Sequence, residues 1–345
     1  MKTNTPPEGY KSILSLKETE QAIKLIKDQF QHQLSCSLKL SRVTAPIFVE
    51  AGTGINDDLN GIEKPVSFNV PGIGNKKMEI VQSLAKWKRM MLAILEIGPG
   101  KGLYTDMNAI RPDEILSNIH SIYVDQWDWE KRIRKEERTI DYLKKTVKVI
   151  YDSLRRLEFM VCETYNGINE VLPEEITFIH SEDLQKEYPG HTPPERENMA
   201  TEKYGAIFII GIGSELKDGR AHDGRAPDYD DWSTPTLNDY KGLNGDIIFW
   251  NPVLKRAFEI SSMGIRVDSE SLIRQLKLTG TEERMNLLFH SQLLKGDLPY
   301  SIGGGIGQSR ICMFMLRKAH IGEVQASVWP ESMKSECISK NIYLI

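Results

Sequence analysis

The chain is poor in the residues that mark secreted, metal-binding or membrane proteins. Its 345 residues include only four cysteines, which form no CxxC pair, and seven histidines, which show no metal-ligand spacing. This pattern predicts reduced thiols and argues against a disulfide framework or a histidine-bound transition metal. No apolar run approaches the roughly 20 residues of a membrane helix, and the N-terminal segment lacks the apolar core of a signal peptide. We therefore expect a cytoplasmic protein without membrane contact.

The chain also lacks a basic excess, internal repeats and low-complexity tracts. Lys and Arg number 44 against 48 Asp and Glu, which gives a formal net charge of −4. A protein that binds polyanions usually carries a basic surplus, so nucleic acid is not an expected partner. No convincing boundary divides the sequence. It therefore predicts a single domain over 1–345, with an N-terminal helical segment (1–40) and a C-terminal tail (331–345).

Capping residues and apolar periodicity predict several elements. Ser15 and Glu18 form a capping box before apolar residues at helical spacing, which predicts a first helix of about five turns. The other elements predicted outside the C-terminal half are a strand at 42–50 around Pro46, one long helix at 131–162, a surface loop at 188–198, and strands at 176–180 and 206–213.

Two apolar strands in the C-terminal half indicate the fold class. Residues 245–250 and 257–262 are separated by only six residues. That gap suits a hairpin and is too short for a helical crossover. Consecutive strands joined in this way imply an antiparallel sheet flanked by helices, so the expected class is α+β.

The stretch Gly-Gly-Gly-Ile-Gly-Gln-Ser-Arg at 303–310 points to a nucleotide. Glycines let a backbone approach a ligand closely, and we interpret the run as opening a helix that presents Arg310. The run has neither the spacing of a dinucleotide fingerprint nor the ending of a P-loop. Arg111 follows a strand-like segment and precedes a proline, so its side chain can project into a cleft. Taken alone, such an arginine more often marks a solvated turn, but Arg111 and Arg310 together suit a triphosphate.

Asp246 and Glu259 lie within the two apolar strands of the predicted hairpin. Carboxylates in such positions are costly to bury unless they are paired or hold a cation. Mg²⁺ commonly uses one or two carboxylates together with substrate phosphates. A magnesium site and a salt bridge to a neighbouring lysine are therefore the two interpretations of this pair.

Three other segments allow competing interpretations. Residues 82–89 concentrate three cations and a tryptophan, which suits either carboxylate binding or an ordinary basic helix face. Residues 95–102 resemble the glycine loop of S-adenosylmethionine-dependent methyltransferases, but the predicted flanks have the wrong order for that fold. Residues 226–235 carry three carboxylates, which could face water or hold an ammonium group.

Together these segments resemble the catalytic core of a class II aminoacyl-tRNA synthetase, closest to the aspartyl and asparaginyl enzymes. Pro46 resembles the motif 1 proline at the dimer interface, and Arg111 the motif 2 arginine that contacts the α-phosphate. Residues 303–310 resemble motif 3. Segments 82–88 and 259–266 resemble the Gln-Ser-Pro-Gln-Leu-Tyr-Lys and Glu-Leu-Gly-Gly-Gly-Ser-Ile-Arg segments of aspartyl enzymes. The first 40 residues, however, leave no room for an anticodon-binding barrel.

Over nearly its whole length the sequence is similar to ammonia-dependent asparagine synthetase of the A type, the aspartate–ammonia ligases. The segments that match closely are 124–130, 225–235 and 258–267. The resemblance implies a homodimer built on an antiparallel sheet, with L-aspartate, ammonia and ATP as substrates. It also implies a β-aspartyl-AMP intermediate, which ammonia converts to asparagine and AMP.

The resemblance suggests roles for the nucleotide-binding residues. Arg111 would steady the α-phosphate during adenylation, and Arg310 would hold the far end of the nucleotide. Gly305 would lie beneath the ATP. Asp246 and Glu259 would carry Mg²⁺ between the phosphates.

It also suggests how aspartate and ammonia are bound. Lys88 and Arg266 would clamp the α-carboxylate, so that the β-carboxylate faces ATP. Asp57 is the favoured base for removing a proton from ammonium, with Asp230 as the alternative. The remaining residues expected in the substrate pocket are Ser83, Gln126, Asp128, Asp230 and Ser262.

Three alternatives stay open at this point. A methyltransferase would bind S-adenosylmethionine at 95–102. A tRNA-charging enzyme would release AMP in response to tRNA rather than ammonium. An inactive paralogue would act as a binding module, although such copies commonly lose the charged residues that this chain retains.

Overall fold

Two sheets organise residues 7–57 and 63–345, the part of the chain that this computed structural model describes. The strands span Leu40–Arg42 (β1), Phe48–Glu50 (β2), Ser67–Val70 (β3), Lys76–Ile80 (β4), Gly102–Ile110 (β5), Tyr123–Arg132 (β6), Thr177–His180 (β7), Ala206–Ile210 (β8), Asn244–Asn251 (β9), Arg256–Ile265 (β10) and Ser301–Gly307 (β11). The larger sheet has the order β1-β5-β6-β11-β10-β9-β8-β7, and the smaller has the order β2-β4-β3. In the larger sheet, the neighbouring strands in the series β5-β6-β11-β10-β9-β8 are all antiparallel. The edge strands β1 and β7 are each parallel to their neighbours, β5 and β8. The predicted α+β class is confirmed.

Helices cover the two faces of the large sheet differently. They span Leu16–Leu38 (α1), Ala85–Ile94 (α2), Ile140–Thr164 (α3), Ser181–Glu187 (α4), Pro193–Tyr204 (α5), Ser269–Thr279 (α6), Leu288–Lys295 (α7), Gln308–Met315 (α8) and Glu331–Ser339 (α9). The main hydrophobic core lies on one face, where α1, α3 and α8 pack. On the other face, α2 packs on β5 and β6 while α5 packs on β8, β9 and β10. The middle of that second face is left open for a ligand.

The predicted first helix is confirmed. Glu18 N donates to Oγ of Ser15 at 3.3 Å, and Ser15 N donates back to the Glu18 carboxylate at 2.9 Å. A cap of this kind contributes about 1 kcal/mol to helix stability. Ile26, Phe30 and other residues of the apolar stripe are fully buried, and the Phe30 ring lies 4.8 Å from that of Trp127. No helix in the described part of the chain is long and apolar enough to span a membrane.

Two predicted elements have different bounds in the structure. The segment 42–50 is not one strand, because β1 and β2 belong to different sheets and Pro46 lies in the connection between them. The segment 131–162 is not one helix, because its first residues complete β6. The helix starts only after Thr139, whose Oγ1 accepts from the backbone N of Tyr142 at 3.2 Å.

Two further predictions were wrong for local reasons. The segment 188–198 is not a loop throughout, because α5 begins within it at Pro193. Thr192 and Glu195 cap that helix reciprocally, and proline is well suited to its first turn. The strand predicted at 206–213 ends at Ile210, since Gly211 adopts a φ of +81° that ends the ladder.

Candidate active site

The open middle of the sheet holds a cavity of about 680 Å³. Its floor comes from β6, β10 and β11, and its rim from the segments that follow β4 and β5. Most of the predicted site residues come together here. Those that line this main cavity are Asp57, Ser83, Lys88, Arg111, Gln126, Asp128, Asp230, Glu259, Ser262, Arg266 and Gly305.

Gly303 and Gly305 leave room for side chains that pack over β11, and Gly305 also lines the main cavity. Both lie on the cavity face of the central strand β11. A Cβ atom on Gly303 would lie 1.9 Å from the Glu130 carboxylate, and one on Gly305 would lie 2.1 Å from Oε1 of Gln126. Glycine is therefore required at both positions by neighbouring side chains, and the close approach to a ligand stays a prediction. The glycines form β11, and the run then opens α8 as predicted, with Gly307 as the N-cap and Arg310 in the first turn.

A β-bulge in β10 turns Glu259 toward the main cavity. The register with β9 shifts between Glu259 and Ser261, where one extra residue is inserted. Glu259 and Ser262 are three positions apart and would face opposite sides of a regular strand. The bulge places both on the cavity face, with Asp246 of β9 opposite Ser262. No motif in the sequence predicts this shift.

Lys88 is the centre of a buried polar network at one end of the main cavity. Its Nζ donates to Oδ1 of Asp128 at 2.7 Å and to the carbonyl oxygens of Trp129 and Gly304, both at 3.1 Å. Burial lowers the pKa of Lys88, although the charge of Asp128 opposes that shift. All three ammonium donors are thus used by the protein. Oδ2 of Asp128 is buried without a hydrogen-bond partner among the described residues, which leaves it available to a ligand.

Arg266 forms a second buried network beside Lys88. Its Nε and Nη2 donate to the Glu130 carboxylate at 3.1 and 2.8 Å, and its Nη1 donates to Asp230. Burial opposes the charge on Arg266, but the two carboxylates outweigh it and raise the pKa of the guanidinium. Burial raises the pKa of Asp230 despite its arginine partners. Both cations of the predicted clamp are therefore already paired, and a ligand carboxylate would share them. Glu130 was not predicted.

Arg111 and Arg310 meet at the other end of the site. Both line a second cavity of about 120 Å³, which adjoins the main one through Arg111, Glu259 and neighbouring residues. Arg310 does not line the main cavity itself; its Nη1 donates to the carbonyl oxygen of Glu259 at 2.9 Å. The guanidinium of Arg111 donates to the Gln82 carbonyl oxygen over 3.4 Å, and its buried Nε has no hydrogen-bond partner among the described residues. Arg111 therefore has donors available for an anion.

The sequence allowed two interpretations of Asp246 and Glu259, a Mg²⁺ site and a salt bridge to a lysine. Asp246 does not line the main cavity, because Arg225 lies in the cavity wall and donates to it at 2.5 Å. Burial raises the pKa of Asp246 to about 7, with Arg225 opposing and Glu259 adding to this shift. Arg310 holds the pKa of Glu259 below its usual range against the effect of burial. The ion-pair partners are thus arginines, not the predicted lysine.

The donor set still fits a divalent cation bound together with phosphate. Two carboxylates share one face of the sheet beside the arginines of the nucleotide end. Mg²⁺ needs no more protein ligands than this when phosphate oxygens and water complete its shell. In residues 7–57 and 63–345 no cluster of three or more His, Cys, Asp or Glu side chains could hold a metal ion. A bound ion would therefore depend on the nucleotide.

Asn56 connects Asp57 to the rim of the main cavity. Its Oδ1 accepts from the backbone N of Asp57 at 3.0 Å and from that of Gln82 at 2.9 Å. Asp57 is almost fully buried at the cavity wall. The side-chain amide of Gln82 is also buried there, with no hydrogen-bond partner among the described residues. Neither Asn56 nor Gln82 was predicted as a site residue, because their contact joins two segments that no local sequence pattern relates.

The carboxylates of the acidic loop at 226–235 do not face water. Asp228, Asp230 and Asp231 are all buried. Each has a different cation: Lys86 lies 3.0 Å from Asp228, Arg266 pairs with Asp230, and Arg138 lies 2.7 Å from Asp231. Of the three, Asp230 alone lines the main cavity. The interpretation that these carboxylates face water is wrong, and the interpretation that they hold an ammonium group stays a prediction.

Comparison with known proteins agrees with this geometry. A sequence model of the family described as aspartate–ammonia ligase matches residues 17–341. The chain is 59% identical to an aspartate–ammonia ligase of Bacteroides fragilis over 339 residues, covering 98% of both chains. It is 57% identical to one from Clostridium perfringens with the same coverage. The chain belongs to the aspartate–ammonia ligase family.

Solved structures confirm the fold expected of an aspartate–ammonia ligase. Asparaginyl-tRNA synthetase from Pyrococcus horikoshii, complexed with asparaginyl-adenylate, superposes with a TM-score of 0.66 over 91% of this chain and 70% of that one, at 16% identity. Aspartyl-tRNA synthetase from Entamoeba histolytica gives a TM-score of 0.57 over 89% of this chain and 58% of that one. The methyltransferase alternative is wrong, because residues 95–101 connect a helix to a strand.

Proposed function

We propose that this aspartate–ammonia ligase makes L-asparagine from L-aspartate and ammonia through a β-aspartyl-AMP intermediate, releasing AMP and pyrophosphate. The observation that carries the proposal is the pair of adjoining cavities over one glycine-floored sheet. One end presents a buried carboxylate oxygen of Asp128 beside Lys88, and the other presents Arg111 and Arg310. This layout suits an amino acid at one end and a triphosphate at the other.

Aspartate binds at the end near Lys88. Oδ2 of Asp128 accepts from the α-ammonium group, while Lys88 and Arg266 attract the α-carboxylate. Gln126, at the cavity wall, hydrogen-bonds the bound amino acid. This orientation directs the β-carboxylate toward the second cavity. Ser83 and Ser262, which line the main cavity, complete the pocket.

Adenylation is carried mainly by positioning and by charge stabilisation. Arg111 stabilises the α-phosphate as an oxygen of the β-carboxylate attacks it and the bond to the β-phosphate breaks, so that pyrophosphate leaves with the bonding electrons. Arg310 binds the nucleotide. Gly305 leaves room for ATP on the floor of the site. Asp246 and Glu259 would hold Mg²⁺, which neutralises phosphate charge when bound.

The second step uses Asp57 as the base. Ammonium gives a proton to the Asp57 carboxylate, and the nitrogen lone pair attacks the carbonyl carbon of the adenylate. The carbon–oxygen bond to AMP then breaks, AMP leaves with the bonding electrons, and the new amide releases its surplus proton to water. Asp230 is less suitable as the base, because Arg266 already occupies its carboxylate.

We further propose that the chain works in the cytoplasm as a homodimer. Pro46 leads into β2 of the small sheet, where the next residues are unusually exposed for apolar side chains: Ile47 is 59% and Phe48 48% exposed. Burial of these side chains against a second copy would stabilise a dimer. Sedimentation equilibrium should give about twice the chain mass of 39.3 kDa. A single-chain mass at micromolar concentration would contradict the dimer.

One assay tests the proposed function. AMP release from ATP is measured with aspartate, with and without ammonium, in the absence of RNA. We expect AMP and asparagine to form in equal amounts only when ammonium is present. Release that requires tRNA instead would favour a tRNA-charging enzyme.

Two arginine variants, one inside the cavities and one outside them, provide a matched comparison for this assay. Arg111→Ala should lower kcat by about two or more orders of magnitude, as is usual when a transition-state charge partner is lost. Arg42→Ala should leave it unchanged, because Arg42 is paired with Asp106 outside the cavities. Near-normal turnover in Arg111→Ala would remove that residue from the mechanism.

A further inference from the structure

A third cavity, of about 230 Å³, lies beside the main one and reaches Asp57 from another side. Asp57 lines both cavities, so its side chain lies between them. The other residues of interest in this side cavity are Glu50, Glu79, Asp228 and His290. The volume is about a third of that of the main cavity, which is far too small for a nucleotide.

The lining of the side cavity becomes more buried toward Asp57. Glu50, at the end of β2, is exposed, and Glu79 on the neighbouring strand β4 is half-buried. Asp57 is 2% exposed, and Asp228 and His290 are fully buried. Carboxylates therefore extend from the solvent side to the shared wall. Lys86 and Arg284 also line the cavity, and Lys76 pairs with Glu50 at 2.9 Å, but the four carboxylates of the lining outnumber these three cations. The acidic excess attracts a small cation inward.

The buried end of the side cavity offers an acceptor for such a cation. Oδ2 of Asp228 lies 3.0 Å from Nζ of Lys86, 2.9 Å from Nε2 of His290 and 3.5 Å from Nη1 of Arg284. Its Oδ1 is buried with no hydrogen-bond partner among the described residues. A buried carboxylate oxygen without a partner is costly, and a ligand with N–H donors would satisfy it.

We propose that the side cavity is the entrance through which ammonium reaches Asp57. The inference rests on the proposed function, because it supplies the nucleophile of the second step. Once β-aspartyl-AMP fills the main cavity, a separate route lets ammonium arrive without displacing the intermediate. Ammonium suits the route since it is small, positively charged and rich in hydrogen-bond donors.

Charge removal at Glu79 tests the entrance. Glu79→Gln keeps an acceptor for Asn56, whose Nδ2 lies 3.3 Å from the Glu79 carboxylate. We expect the KM for ammonium to rise about threefold or more at constant pH and ionic strength, because steering of a cation is lost. The KM values for aspartate and ATP should not change. Hydroxylamine, which is largely neutral at neutral pH, should show a smaller rise in its KM.

Two further variants make the result specific. Glu282→Gln removes the same charge from an exposed position outside the side cavity and should behave as the wild type. Glu50→Gln, at the solvent end, should raise the KM for ammonium in the same direction as Glu79→Gln. The entrance is refuted if both Glu79→Gln and Glu50→Gln match Glu282→Gln, or if the KM values for aspartate and ammonium rise in parallel.

Failure of the entrance and failure of the proposed function can be told apart. Exchange of labelled pyrophosphate into ATP, with aspartate present and ammonium absent, reports adenylation alone. No exchange in the wild-type enzyme would overturn the proposed function. Normal exchange in every variant, with unchanged KM values for ammonium, would overturn the entrance and leave adenylation intact.

Discussion

Replacing Gly305 by alanine tests whether the glycine floor shapes the substrate site. The added Cβ would lie 2.1 Å from Oε1 of Gln126 and 3.0 Å from Oδ1 of Asp128. The Gln126 amide is the end of a flexible side chain, so it can move away instead of disrupting the sheet. Binding then loses one hydrogen bond, worth about 0.5–1.5 kcal/mol. This corresponds to a rise of roughly two- to tenfold in the KM for aspartate.

The assay for Gly305→Ala is steady-state asparagine synthesis with thermal unfolding measured in parallel. Two other glycines serve as controls. A Cβ on Gly304 would lie 2.5 Å from Cβ of Met263 and 2.7 Å from the Ser262 carbonyl oxygen, so Gly304→Ala should mainly lower the Tm. A Cβ on Gly98 meets nothing within 4 Å, so Gly98→Ala should change neither quantity. Wild-type KM values in Gly305→Ala would refute the steric argument.

Two other predictions follow from the buried charges. Lys88→Met leaves Asp128 and two carbonyl oxygens without their donor, so the free energy of unfolding in urea should fall by about 3–5 kcal/mol, and wild-type stability would contradict the network. Burial raises the pKa of Asp246 to about 7, so this carboxyl loses its proton as the pH rises through that value. Because the ionised carboxylate is the form that binds a metal ion, metal-dependent ATP binding should strengthen from about pH 6 to about pH 8. Asp246→Asn should retain only the pH dependence of the nucleotide itself; an unchanged profile would show that Asp246 does not titrate.

Much of the fold was predictable because its signals are local. The capping box of Ser15 and Glu18 marks α1, and the short gap after residue 250 requires a hairpin. The predicted helix bounds were wrong where a strand carries charged residues, as in the last residues of β6. They were also wrong where a capping box encloses two prolines at the start of a helix, as at Thr192–Glu195.

The location of the candidate site residues was easier to predict than their contacts. Motif resemblance selected residues that, apart from Asp246, line two adjoining cavities. It could not show that Arg225 covers Asp246, or that Glu130 pairs with Arg266. These partners lie on different strands or loops, and the bulge that turns Glu259 toward the cavity leaves no pattern in sequence spacing. Such features depend on register, which a single sequence does not specify.

The most direct test of the central claim follows the oxygen atoms of aspartate. Aspartate labelled with oxygen-18 in its β-carboxylate is converted to asparagine, and the AMP is analysed by mass spectrometry. Attack of that carboxylate on the α-phosphate should transfer one labelled oxygen to each AMP. Unlabelled AMP, or label found in pyrophosphate, would contradict adenylation at this site.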